Sequence, residues 1–133
     1  MKLEVKGFGK QYSFKQESDI IEVFHTESGL RVVVIASIDD FNQTYLEFLF
    51  RYSRGYRFLD EGDFIAYWES KMFDSNQHLY EILSGGWSNG EILESGIMSV
   101  SSSLGFREWF IVTTNGCMTV LSNDEPFIRE LPK

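Results

Sequence analysis

Alternation of apolar and polar positions is the clearest local signal in this chain. Over residues 30–38, Leu30, Val32, Val34, Ala36 and Ile38 share one face of an extended segment. Arg31, Val33, Ile35 and Ser37 share the other. Residues 19–26 supply a partner strand, and Glu27-Ser28-Gly29 makes a short hairpin loop in which Gly29 is free to take positive φ. A second hairpin is predicted at Arg107–Thr114 and Cys117–Ser122, joined by Asn115-Gly116, the dipeptide a type I′ turn prefers.

Asn42–Phe58 fits two patterns. As a strand, Thr44, Leu46, Phe48, Phe50 and Tyr52 line one face; as a helix, Phe41, Tyr45, Phe48, Leu49 and Tyr52 do. The density of aromatic residues favours the strand. A helix is expected from Asp60, because Asp60-Glu61-Gly62-Asp63 puts carboxylates at unpaired N–H groups and a positive dipole end. Phe64, Ile65, Trp68 and Met72 follow at helical spacing. His78–Leu83 reads as another strand ending at Gly85-Gly86, and the Ser-rich stretch Ser95–Ser103 as a loop or weak edge. The sum is an α+β fold: a mainly antiparallel sheet built from hairpins, with about one helix packed on a face. Internal repeats and proline-rich linkers are absent, and Pro126 and Pro132 both lie near the C-terminus, so residues 1–133 read as one domain.

Composition narrows the class. Hydrophobic residues make up 43% and aromatic residues 16%, too much apolar surface for a disordered chain. Lys+Arg 12 against Asp+Glu 20 gives a net charge of −8, which repels phosphate backbones and attracts basic partners. The first residues form no secretory h-region. No run approaches the ~18–20 apolar residues of a membrane helix. Cys117 is the one cysteine, so no internal disulfide framework exists, and a reducing, cytoplasmic location is expected. The Asn42-Gln43-Thr44 triplet, without an export signal, is read as a chance glycosylation match.

Reactive signatures are few. Gly7-Phe8-Gly9 lacks the remaining elements of a phosphate-cradling loop. His25, His78 and Cys117 together offer too few ligands for a structural zinc site, and no cofactor is implied. Cys117 heads a strand, where a free thiol behaves as a small hydrophobe. Asp60, Asp63 and Glu69 are the nearest approach to a metal-assisted hydrolase site, weighed against simple helix capping. Arg51, Arg54 and Arg57, interleaved with Phe50, Tyr52, Tyr56 and Phe58, could contact single-stranded nucleic acid. Three arginines release too few counterions for tight binding by an acidic chain, and pairing with neighbouring acids is the favoured reading.

The distribution of acids says more. Between Phe58 and Phe106 there are eight, Asp60, Glu61, Asp63, Glu69, Asp74, Glu81, Glu91 and Glu94, against Lys71 alone, so 1 − 8 = −7 of the total charge lies there. With Tyr67, Tyr80 and Trp87 as aromatic anchors, these acids are the candidate partner-binding residues. Steering raises on-rates while buried rings supply the hot spot. The alternative is a solvated acidic face with its rings in the core, which is favoured for Trp68.

The run Gly55-Tyr56-Arg57-Phe58-Leu59-Asp60-Glu61-Gly62-Asp63 leading into Tyr67-Trp68, with the tail Cys117-Met118-Thr119-Val120-Leu121-Ser122 before Glu125-Pro126, resembles immunity proteins of bacterial polymorphic toxin and contact-dependent growth inhibition systems. The resemblance covers about a third of the chain. It implies a non-enzymatic role, binding and blocking a cognate toxin domain, often a nuclease, and it carries no catalytic residues. Two other classes are weighed against it: a metal-assisted hydrolase on Asp60, Asp63 and Glu69, and a module whose strand aromatics line a pocket for a small apolar ligand.

Overall fold

The computed structural model describes residues 2–39, 41–92 and 96–132. In chain order the strands are β1 (Glu4–Gln11), β2 (Asp19–Thr26), β3 (Gly29–Ser37), β4 (Gln43–Phe50) and β5 (Gly55–Asp60), then, after the first helix, β6 (Gln77–Ser84), β7 (Glu108–Ile111), β8 (Gly116–Leu121) and β9 (Phe127–Leu131). A 3₁₀ turn (Glu61–Phe64) runs into α1 (Ile65–Glu69), and α2 (Ser99–Leu104) precedes β7. Two antiparallel sheets result, ordered β1-β6-β7-β8-β5 and β2-β3-β4-β9. The architecture is the expected α+β class, with hairpins dominating and helices few.

Alternation explains which face each strand buries. Leu30, Val32, Val34 and Ala36 of β3 and Leu46, Phe48 and Phe50 of β4 meet Leu79, Trp109, Ile111, Met118 and Val120 of the larger sheet. Gly29 is required where β3 begins: its φ is +121°, and a Cβ there would lie 2.5 Å from the Phe50 carbonyl oxygen. A second apolar layer forms on the opposite face of the larger sheet, where Phe64 and Tyr67 pack on Tyr80, Ile82, Phe110, Val112 and Cys117.

Several local expectations are corrected. Asn42–Phe58 is extended, but it breaks at residues 51–54 into β4 and β5, which belong to different sheets. Asn115-Gly116 is not a type I′ turn, since neither residue has positive φ. Ile111 stands opposite Met118, which centres the reversal on Thr114 and Asn115. Tertiary bonds hold it there: Ser18 N donates to Thr114 Oγ1 at 2.8 Å, and Thr114 N donates to Ser18 Oγ at 2.9 Å.

The helix begins as expected, with Asp60 Oδ1 accepting from Gly62 N at 2.8 Å. Its first turn is 3₁₀, however, which shifts the phase of the apolar stripe. Phe64 and Tyr67 are buried, whereas Ile65 is 60% exposed and Met72 also faces water. Ser99–Leu104 is a helix rather than a loop. It buries none of its residues and is closed by backbone bonds such as Ser102 N to Met98 O, so no burial pattern could announce it.

Candidate functional site

The residues singled out from the sequence divide into three groups. The first runs along one continuous segment on the outer side of the larger sheet. Asp60, Asp63, Glu69 and Asp74 are exposed, and Glu61 is half-buried. None of the five reaches a cation within ion-pair distance among the described residues. Lys71 is the one base in this segment. The short 3₁₀–helix path points these carboxylates outward because Phe64 and Tyr67 occupy its inward positions.

The second group is neutralised internally, contrary to its expected role as free docking charge. Glu81 accepts two bonds from Arg107, from Nε at 2.8 Å and Nη2 at 2.9 Å. Glu91 accepts from Arg57 Nη1 at 3.0 Å and Nη2 at 2.8 Å, and also from the Tyr67 hydroxyl. These bidentate forks arise because the pairs lie on adjoining elements, and a planar guanidinium matches a carboxylate edge. Glu94 lies outside the described residues.

The third group is aromatic and also needs correction. Tyr80 is 1% exposed and Tyr67 6%, so both rings are core and neither is presented to a partner. The Tyr80 hydroxyl and Ser75 Oγ are hydrogen-bonded at 2.9 Å, which satisfies the phenol inside the fold. Burial and the Glu91 carboxylate push the Tyr67 phenol well above its ordinary range, so it remains a protonated donor. Trp87 is half-buried, with its ring face 5.1 Å from Arg57 Cζ.

Arg57 organises this neighbourhood. It projects from β5 between the rings of Phe64 and Trp87, at 5.2 and 5.1 Å. Its Nε has no hydrogen-bond partner among the described residues, so ring contacts hold that edge of the guanidinium. Beside it opens a cavity of about 440 Å³ whose polar lining is Arg57, Asp63, Tyr67, Ser70 and Glu91.

Glu91 is placed by a single wide turn, Trp87–Glu91, which Glu108 secures from within the sheet. The fully buried Glu108 carboxylate accepts from Trp87 N at 2.7 Å and from Ser88 N and Ser88 Oγ at 2.8 Å each. Burial pushes its pKa up, against the opposing effect of these donors. Sequence reasoning had Arg57 paired with an acid without naming Glu91, and it missed Glu108, whose partners Trp87 and Ser88 lie 21 and 20 residues away in the chain.

The groups weighed for metal-assisted or thiol chemistry are not assembled for it among the described residues. Asp60, Asp63 and Glu69 do not converge: among the described residues no group of three or more His, Cys, Asp or Glu side chains could hold a metal ion. Cys117 is buried and its thiol is pushed up to about 12 by desolvation, opposite to what a nucleophile needs. Between the sheets, the space beside Tyr12, Phe48 and His78 amounts to about 20 Å³, room for one water, so the strand rings fill the core there. The arginine–aromatic run does not form a strip either: Arg57 pairs with Glu91, and Arg51 lies over Phe127. No helix among the described residues is long and apolar enough to cross a membrane. No protein-family model, curated protein or solved structure matches this chain.

Proposed function

We propose that this chain is an immunity-type binding protein that neutralises a cognate basic toxin domain in the bacterial cytoplasm. The observation that carries the reading is the belt of carboxylates from Asp60 to Asp74. Glu47, Glu81, Glu91 and Glu130 are tied to arginines or lysines, while no acid of this belt is paired with a cation among the described residues. Unpaired acids facing water in one segment make a field that draws in a cationic surface, because exposed charges act chiefly on the rate of encounter. A nuclease, whose groove is built for phosphates, offers such a surface. The belt mimics that substrate's charge and covers the groove.

The test is co-expression with the polypeptide encoded by the reading frame immediately upstream. The expected result is a co-purifying complex, rescue of growth, and an association rate that falls at least tenfold between 50 and 500 mM salt, as steering by exposed charge demands. A folded neighbour that neither binds nor loses its toxicity removes the reading.

A further inference from the structure

The two sides of the sandwich are finished differently. At the β1/β9 side, Lys10 Nζ and the Tyr12 hydroxyl both bond Glu130, at 2.5 and 3.1 Å, and lace the sheets together. At the other side, β2 and β5 are the free edges of their sheets and lie across from one another, with the rings of His25 and Tyr56 meeting edge-on at 5.6 Å. Here the sandwich is open. Val23 stands opposite Val32 and Phe58 opposite Met118, partners that are wholly buried, yet Val23 is 38% and Phe58 49% exposed. Every residue of β2 from Ile21 to Thr26 is exposed.

Soluble proteins blunt free strand edges with lysines, prolines, bulges or a covering segment. The β2 edge has an irregularity between Ile20 and Glu22, and Glu22 is itself paired with Arg31. Apart from Glu22, no residue between Ile20 and His25 is acidic or basic, so the exposed edge is apolar.

The charges around this edge select the occupant. At one end Asp19, Asp60 and Glu61 gather about the β8 start: Asp19 Oδ1 accepts from Gly116 N at 3.3 Å, Asp60 stands opposite Gly116, and Glu61 N donates to Asn115 O at 2.6 Å. Phe58 packs onto the same spot, since a Cβ on Gly116 would fall 2.6 Å from its Cζ. None of the three acids has a cationic partner among the described residues, and Arg54, just before β5, is the cation at the far end.

We infer that the open β2/β5 edge, with Val23, Tyr56 and Phe58 at its centre and Asp19, Asp60 and Glu61 at its end, is the contact centre for a basic protein partner. This rests on the reading above and relocates its hot spot. The belt steers, while the rings that anchor the contact are Tyr56 and Phe58, not Tyr67 or Tyr80. Desolvated aromatic side chains beside charged groups carry most of the energy of such interfaces.

The experiment measures binding of the full chain to the upstream-encoded polypeptide by calorimetry, for wild type, Tyr56→Ser, Phe58→Ser and a remote control, Phe127→Ser, an exposed ring on the smaller sheet. The expected result is a dissociation constant raised at least 30-fold by Phe58→Ser, about tenfold by Tyr56→Ser, and less than threefold by the control. Val23→Lys, at an already exposed position, replaces any variant that melts early and is expected to weaken binding at least 30-fold by repelling a cationic surface. Wild-type binding with all edge variants within threefold overturns this inference and leaves the parent reading standing. Failure of wild type to bind overturns both. A concentration-dependent dimer in sedimentation that Phe58→Ser abolishes assigns the edge to a second copy and also overturns the inference.

Discussion

On the outside of the five-stranded sheet, Phe110 is ringed by Phe64, Tyr67, Trp68 and Phe73, with centroids 4.9–5.8 Å away. On the outside of the four-stranded sheet no helix is packed among the described residues. There Glu47 accepts from Arg31 and, at 2.8 Å, from Arg129, while Arg31 also reaches Glu22 at 3.0 Å. Val33, on that outer face, is nevertheless buried under this lattice. One sheet is finished by an apolar layer and the other by ion pairs lying over aliphatic carbons. Charge in this protein therefore has two uses, closing a sheet face and facing outward, and only carboxylates without an arginine neighbour are free for the second.

The comparison can be broken most forcefully at Phe110. Phe110→Ala removes the centre of the outer layer and is expected to cost about 3–5 kcal/mol in urea denaturation, the range for deleting a buried aromatic side chain. A loss under about 1 kcal/mol would show that the helix segment merely rests on the sheet.

The ion-pair face is expected to matter less. Glu47→Gln should cost about 1.5–3 kcal/mol at neutral pH, as for a hydrogen bond to a charged group. Arg129 and Arg31 hold the Glu47 carboxyl below the ordinary glutamate range, so its contribution is complete above that range. The difference between wild type and Glu47→Gln should therefore shrink as pH falls through the lowered value.

Glu108, behind the other face, has the opposite sign. Its raised pKa means the folded state holds a proton more tightly than the unfolded chain. Stability relative to Glu108→Gln should therefore grow as pH falls from that raised value towards the ordinary one. Parallel pH profiles for the two variants would erase the distinction between the faces. The smallest effect is expected for Asp60→Ala, about 1 kcal/mol, from loss of the cap on Gly62 N.

Legibility followed the range of the interactions involved. The β2–β3 hairpin, Gly29 and the inward faces of β3 and β4 were readable because alternation and positive φ are properties of adjacent residues. β1 and β9 had no such signal: Glu4–Gln11 is mostly exposed, and Phe127–Leu131 is a short edge with no buried residue. The turn at Thr114 and Asn115 was misplaced by one residue because Ser18, far upstream, holds it. Of the candidate site, the acidic segment from Asp60 to Asp74 was legible as charge, because a count of acids along the chain needs no tertiary contact. Tyr67, Tyr80, Glu81 and Glu91 were assigned to the surface on the same count, although their environments come from Arg57, Ser75 and Arg107.

By itself, the order of residues determined the strand faces, the hairpin habit, the helix start at Asp60 and the net charge, since each depends on local backbone geometry or on summation. Which carboxylates are neutralised and which rings are covered was decided by strand pairing within each sheet and by the layer outside the larger one, and which edge stays open by how the two sheets stack. Pairing Arg57 with Glu91, or leaving Phe58 half in water beside Val23, depends on distances between segments that the chain brings together through its long-range antiparallel registers.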